Sequence, residues 1–233
     1  MPSFKQRSYQ KELLDGNKIS FDDIKQNMLE LERINHLLGG HQITLRGIKT
    51  LIRKCTENKI LRIVEIGCGG GDNLRVIQKW AEKKDIKIEL TGVDINEECI
   101  TYAKNISGTS GIHFICSDYR TVMFGKKPHI IFCSLFCHHF TEKELVMLLK
   151  WLRQNSITGF FINDLHRHPI AYYSIKLLTT LFSKSYLVKN DAPLSVQRSF
   201  KKKDLKKLFV AAGLSNYSIE WKWAFRWLVT YNS

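Results

Sequence analysis

The distribution of apolar positions divides the chain near residue 60. Upstream, Ile24, Met28, Leu31, Ile34 and Leu38 recur at three- and four-residue steps, the spacing of one helix face. Ser20 stands where that helix would begin, with Asp23 three residues on, and Gly39-Gly40 stands where it would stop. Residues 1–56 therefore read as helical. Downstream, short apolar runs alternate with amphipathic stretches. LRIVEI (61–66), IELTGVD (88–94), IHFICSD (112–118), IIFCSLF (130–136) and ITGFFIND (157–164) have the near-continuous apolar character of strands buried on both faces. Helices are predicted over 72–83, over 96–106, and from the capping box Thr141-x-x-Glu144 to about Gln154. The alternation predicts an α/β fold with a parallel sheet covered on both sides.

The C-terminal part breaks this rhythm. Residues 169–183 predict a helix that is apolar round most of its circumference. A basic loop follows, then a helix over 202–212 ending at Gly213. In 218–232, Trp221, Trp223, Phe225 and Trp227 alternate with Lys222, Ala224 and Arg226. That period of two predicts a hairpin antiparallel to part of the sheet. No repeat and no Gly/Ser linker divides the chain further.

Composition narrows the class. With 233 residues, 44% hydrophobic and 25% charged, the chain is ordinary globular material, neither disordered nor collagenous. The longest nearly apolar run, Ile130 to Cys137, falls short of the ~18 residues that span a bilayer. The N-terminal MPSFKQRSYQKELLDG has no apolar signal-peptide core, so a cytoplasmic location is expected. Cys55, Cys68, Cys99, Cys116, Cys133 and Cys137 form no CxxC pair and read as free thiols in a reducing compartment. The formal charge is +14. Part of it lies between Lys184 and Val210, where eight basic residues meet two acidic ones. The plain reading is a solvated face; the alternative is a surface for polyanions or anionic lipid.

The chemistry is concentrated in Val64-Glu65-Ile66-Gly67-Cys68-Gly69-Gly70-Gly71-Asp72-Asn73, which leaves a strand and enters a helix. Glycines there let the backbone turn and approach a ligand, and the helix start offers free N–H groups. A dinucleotide fingerprint would need glycine at 72, where this chain has Asp72. Asp72 and Glu65 would repel a diphosphate but suit a sulfonium or an α-amino group. Asp94, ending the second strand, can accept ribose hydroxyls. Asp118, in Cys116-Ser117-Asp118-Tyr119, can accept from an adenine amine. All lie at the carboxyl ends of strands, where ligands bind in such sheets.

VEIGCGGGDN, VDIN, CSDY and SLFCHHF resemble the successive motifs of class I S-adenosylmethionine-dependent methyltransferases, over about residues 60–164. The resemblance implies a Rossmann-like seven-stranded sheet with an antiparallel last strand. It implies S-adenosyl-L-methionine as cofactor, with Glu65, Gly67, Gly69 and Gly71 along its methionine part, Asp94 on the ribose and Asp118 on the adenine. Asp72, Asn73, Ile95, Tyr119 and Ser134 complete the expected cofactor set. The expected organisation is a helical cap over 1–56 and a methyltransferase domain over 57–233, with a substrate lid inserted over about 165–200.

Methyl transfer to a hydroxyl needs an oriented nucleophile and a proton acceptor. His138 and His139, after the fourth strand, and His166, after the fifth, are the candidate bases, histidine titrating in the useful range. No metal is expected, since a metal-ligand pattern is absent apart from His166-x-His168. The Asn/Asp-Pro-Pro-aromatic tetrapeptide of adenine-type nucleic-acid methyltransferases is also absent, so nucleic acid is not the expected partner. Apolar 169–183 favours a small aromatic or lipid-like acceptor. LGGHQIT, NDLHRHPIAYY and DAPLSVQRSF resemble a bacterial subgroup of methyltransferases that tailor polyketides, quinones and phenolic lipids, which implies O-methylation of a phenol or enol. Tyr172 is an expected substrate contact, and Arg167 and Arg198 are placed to pair with a carboxylate or phenolate of the acceptor. Methylation of an aromatic carbon, an RNA or protein substrate held by 184–210, and a non-catalytic cofactor-binding or membrane-surface module are the alternatives.

Overall fold

A computed structural model describes residues 3–16, 19–53, 60–108 and 111–233. Seven strands form one sheet: β1 (Leu61–Ile66), β2 (Ile88–Asp94), β3 (His113–Cys116), β4 (Ile130–Ser134), β5 (Gly159–Leu165), β6 (Tyr217–Lys222) and β7 (Arg226–Asn232). Their order is β3-β2-β1-β4-β5-β7-β6. The first five are mutually parallel, and β7 runs antiparallel between β5 and β6. The order reverses beside β1, and a crevice opens there above the strand ends.

The described helices are α1 (Phe21–Leu37), α2 (Gly40–Ile52), α3 (Asp72–Glu82), α4 (Glu97–Ser107), α5 (Glu142–Asn155), α6 (Pro169–Phe182), α7 (Tyr186–Arg198) and α8 (Lys202–Ala211). Their starts follow the sequence: Ser20, Asn96 and Thr141 each accept a backbone N–H at a helix N-terminus, the last within a reciprocal capping box with Glu144. Gly39, in the left-handed region, separates α1 from α2. Two cores flank the sheet. One packs α5 and α8 through Leu148, Leu152, Leu205 and Phe209; the other packs α2, α3 and α4 through Ile48, Leu74, Ile77 and Ile100. In the second, a Cβ added at Gly47 of α2 would stand 2.6 Å from the Phe161 ring of β5.

Three expectations change. The cap is not helical throughout: the described residues before Phe21 (3–16 and 19–20) are irregular, 3–16 forming a strap with one short 3-10 turn, Leu13–Asp15. The basic loop is largely α7, whose helical pattern is masked in sequence by its charges and by Pro193, which removes one N–H from the ladder. Burial of Leu187, Val188, Leu194 and Val196 overrides that cost. Trp223 and Phe225 belong to the turn between β6 and β7, not to a strand face. The boundary expected at 56/57 and Cys55 lie outside the described residues. Among those described, no helix is long and apolar enough to cross a membrane.

Candidate active site

The loop after β1 turns through left-handed backbone at Gly67, Gly69 and Gly71, with φ of 71°, 48° and 73°. A Cβ at Gly67 would lie 2.1 Å from the Phe136 ring. Hydrogen bonds pin the loop to β2: Gly67 and Cys68 donate to the Val93 carbonyl at 2.8 and 3.1 Å, and Gly69 donates to Asp94 Oδ2 at 2.9 Å. Asn96 donates to Asp94 Oδ1 at 2.9 Å. Burial raises the Asp94 pKa, with these backbone donors opposing it. Glu65, at the end of β1, is fully buried. Asn73 donates to its Oε1 at 2.9 Å, whereas Oε2 has no protein partner; the buried Ser134 Oγ has none either. Burial, reinforced by the charge of Asp72, pushes the Glu65 pKa well up, because its charge lacks a full set of donors.

These groups line one cavity of about 1250 Å³. At this end it is bordered by Glu65, Gly67, Gly69, Asp72, Asn73, Asp94, Ile95 and Ser134. An orphaned carboxylate oxygen beside a glycine-lined backbone fits the amino group and sulfonium of S-adenosylmethionine. The free lone pairs of Asp94 fit its ribose.

Other members of the expected cofactor set sit differently. Asp72 Oδ2 pairs with His41 Nε2 at 2.6 Å and accepts from Asn35 Nδ2 at 2.8 Å, so it ties α1 and α2 to the start of α3. Burial raises its pKa, but these partners outweigh burial and hold it below the ordinary value. Gly71 caps α3 behind the cavity wall. Asp118 turns to its neighbour Arg120, which engages both carboxylate oxygens, and it does not line the cavity. Tyr119 packs edge-on against Trp151 and Phe140 instead.

The other end of the cavity is assembled from distant segments. His138 is buried. Its Nδ1 bonds Asp164 Oδ1 at 2.8 Å, and its Nε2 lies 3.5 Å from Glu12 Oε1. Burial lowers its pKa, but the two carboxylates outweigh that and raise it to about 9, so it is a cation that bridges strap and sheet. His139 remains at the cavity wall. Its Nδ1 bonds Asp15 Oδ1 at 3.1 Å and its Nε2 is 3.8 Å from Glu12 Oε2. Glu12, His138 and His139 bring candidate metal-ligand atoms within 4.8 Å of one another. Ser195 already donates to Glu12 Oε1 at 2.8 Å, and Arg198 Nε stands 3.7 Å from it.

His166 does not line the cavity. Its ring packs against His168, Phe225 and Trp227, and burial together with His168, Lys201 and Arg167 lowers its pKa to about 4. Arg167 is buried away from the cavity, spent on the Ser199 and Phe4 carbonyls and on Asp204 at 2.8 Å. Tyr172 stacks edge-on with Phe4 and likewise does not line the cavity, although its neighbours Ala171, Ser174 and Ile175 do. Arg198 lines the cavity, but its guanidinium holds the carbonyls of Gln10, His138 and His139. It is a strut under the site rather than an open anion receptor.

The sequence reading missed Glu12, Asp15, Asn35 and Arg226. Arg226 is buried at the cavity wall and donates to Asn35 at 3.0 Å; burial lowers its pKa to about 10. Its signal was a charge in an otherwise apolar strand. The strap acids carried none, because only folding brings position 12 to position 138.

Residues 63–155 match a family model described as a methyltransferase domain. The match makes residues 63–155 a methyltransferase domain, and the sheet order above is the fold it shares with S-adenosylmethionine-dependent methyltransferases. No curated protein matches the chain in sequence. Among solved structures, it superposes on the plantazolicin methyltransferase BpumL in complex with S-adenosylhomocysteine, with a TM-score of 0.67 and 15% identity, covering 91% of this chain and 95% of that one. Human N-acetylserotonin methyltransferase with S-adenosylmethionine gives 0.64 and 16%, covering 92% and 56%. A methyltransferase from Aquifex aeolicus gives 0.61 and 15%, covering 92% and 99%.

Proposed function

We propose that the chain transfers the methyl group of S-adenosylmethionine to a phenolic or enolic hydroxyl of a small hydrophobic acceptor of polyketide or quinone type. One observation carries this reading: a single cavity joins the strand-end carboxylates to His139 through walls of apolar side chains. Ile24, Met28, Leu31 and Ile34 of α1, Ile175 and Leu178 of α6, and Val188 and Val196 of α7 form those walls. They bind rings or chains by burial and exclude water. α6 and α7 are the lid. The proteins named for plantazolicin and N-acetylserotonin, of the same fold, are named for compounds rather than nucleic acids.

The bound cofactor supplies an electrophilic methyl group on a positively charged sulfur. Glu65 and Asn73 would hold its amino-acid end and Asp94 its ribose, and the sulfur would leave as the thioether of S-adenosylhomocysteine. His139 takes the acceptor's hydroxyl proton at Nε2, because Asp15 keeps Nδ1–H as the donor side of the ring. Glu12 faces the imidazolium that forms and offsets its charge.

The test incubates the protein with methyl-labelled cofactor and separate pools of phenols, quinones, fatty acids and RNA. Label in the phenol or quinone pool is expected; label confined to RNA sinks the reading. His139→Ala is expected to lower turnover by roughly 10²-fold or more with cofactor affinity unchanged. Undiminished turnover removes His139 as the base.

A further inference from the structure

α6 presents two adjoining faces. Ala171, Ser174, Ile175 and Leu178 line the cavity. Beside them Ile170, Tyr173, Leu177 and Leu181 follow at three- and four-residue steps, with Phe182 at the helix end. All five are open to solvent, from 52% exposed at Tyr173 to 78% at Phe182. Lys176 is the helix's single charged residue. Trp223, 71% exposed at the hairpin turn, also borders the cavity. The turn is joined to the start of α6 where Phe225 stacks on His168 at 5.1 Å. Soluble monomers rarely leave so continuous an apolar patch uncovered without a use for it.

The surrounding charge is one-sided. Lys176, Lys184 and Lys189 are exposed and form no ion pair among the described residues. The two acids of the basic segment point inward: Asp191 accepts the N–H groups of Leu13 and Leu14, and Asp204 holds Arg167 and the Lys201 N–H. Asp23, 3.5 Å from the Tyr186 hydroxyl, is an acid at the rim, and the buried Glu30 is taken up by Ser183 and the Lys184 and Ser185 N–H groups. The whole chain carries +14. At 14 residues, α6 is about 21 Å long, too short to cross a bilayer, so it would lie in the interface.

We propose that the outer stripe of α6, with Trp223, docks the protein on the surface of an anionic lipid bilayer and turns the mouth of the cavity toward it. Lysines draw the protein to the headgroups, and the apolar side chains enter the acyl boundary. The proposal deepens the reading of a hydrophobic acceptor, since such a molecule partitions into the bilayer and would reach the cavity beside α6 without crossing water.

The test floats the full chain with vesicles of phosphatidylcholine alone or of equal phosphatidylcholine and phosphatidylglycerol. Binding to the anionic vesicles at least about tenfold above the neutral ones is expected, weakening as salt rises. Leu177→Asp with Leu181→Asp, neither bordering the cavity, is expected to cut that binding at least about tenfold while calorimetric S-adenosylmethionine binding persists. No flotation with either vesicle, or undiminished flotation of the double variant, overturns the proposal. So does a wild-type dimer that the double variant abolishes in sedimentation while vesicles stay bare, because a second copy then covers the stripe. The assay contains no acceptor, so a failed phenol methylation leaves its outcome standing.

Discussion

At the cofactor end of the cavity, Glu65, Asp72 and Asp94 stand on two successive strand–helix units, and the glycine loop between them is held by backbone hydrogen bonds. At the proposed acceptor end, Glu12, the adjacent His138 and His139, and Arg198 come from three places in the chain and are held by buried charge. The first end is local geometry with one carboxylate left incompletely solvated for a cationic ligand. The second is a long-range assembly whose charges satisfy one another before any acceptor arrives. Binding machinery can thus be carried by a contiguous motif, while the groups proposed to handle the acceptor depend on the complete tertiary fold.

Three experiments break or sharpen this contrast. Arg198→Met should have the largest effect. It strips the Gln10 and His139 carbonyls of their Arg198 donor, leaves the His138 carbonyl to Arg7, and leaves Glu12 and Asp15 less compensated. A loss of about 3–5 kcal/mol is expected in urea unfolding. Cofactor affinity of the folded fraction should barely change; an equal collapse of affinity would mean that the two ends are one unit. Next, Asp94→Ala removes the acceptor of the Gly69 and Asn96 N–H groups together with the proposed ribose contact. Isothermal titration should show cofactor affinity down by roughly 10²-fold, about 2.7 kcal/mol, and unaltered binding would discredit this end of the site.

The smallest effect is a pH dependence. The His138 pKa is raised from an ordinary 6.5 to about 9 in the folded chain. Its contribution to stability is therefore complete below about 6.5 and is lost as pH rises through about 9. Unfolding midpoints should fall across that interval in the wild type and stay flatter in His138→Gln. Parallel curves would remove His138 as the bridging cation.

The same contrast explains what could be read from the sequence. Sheet, glycine loop and most helix starts were legible because strand runs, Gly67-x-Gly69 and Ser20 or Thr141 act within a few residues of themselves. α7 was hidden because its helix is held by tertiary packing in spite of Pro193 and scattered polar residues. His138 and His139 stood out, but their different settings did not, since these depend on Asp164 reaching one and Asp15 the other. Arg167 resembled a ligand-binding cation and proved to be a brace, because nothing near it in sequence reveals the Ser199 carbonyl and Asp204 that absorb its donors.

Gly47 lets α2 lie flush on the Phe161 ring, and α2 also carries His41 and Thr44, which reach Asp72 and Asn73. A hydrogen atom in place of a methyl group, on a helix outside the cavity, thereby acts as a shim for the catalytic crevice. Thickening it would lift the helix off the sheet and drag the start of α3 with it. The tolerance of the methyl-donor seat is set from behind, at a position no ligand touches.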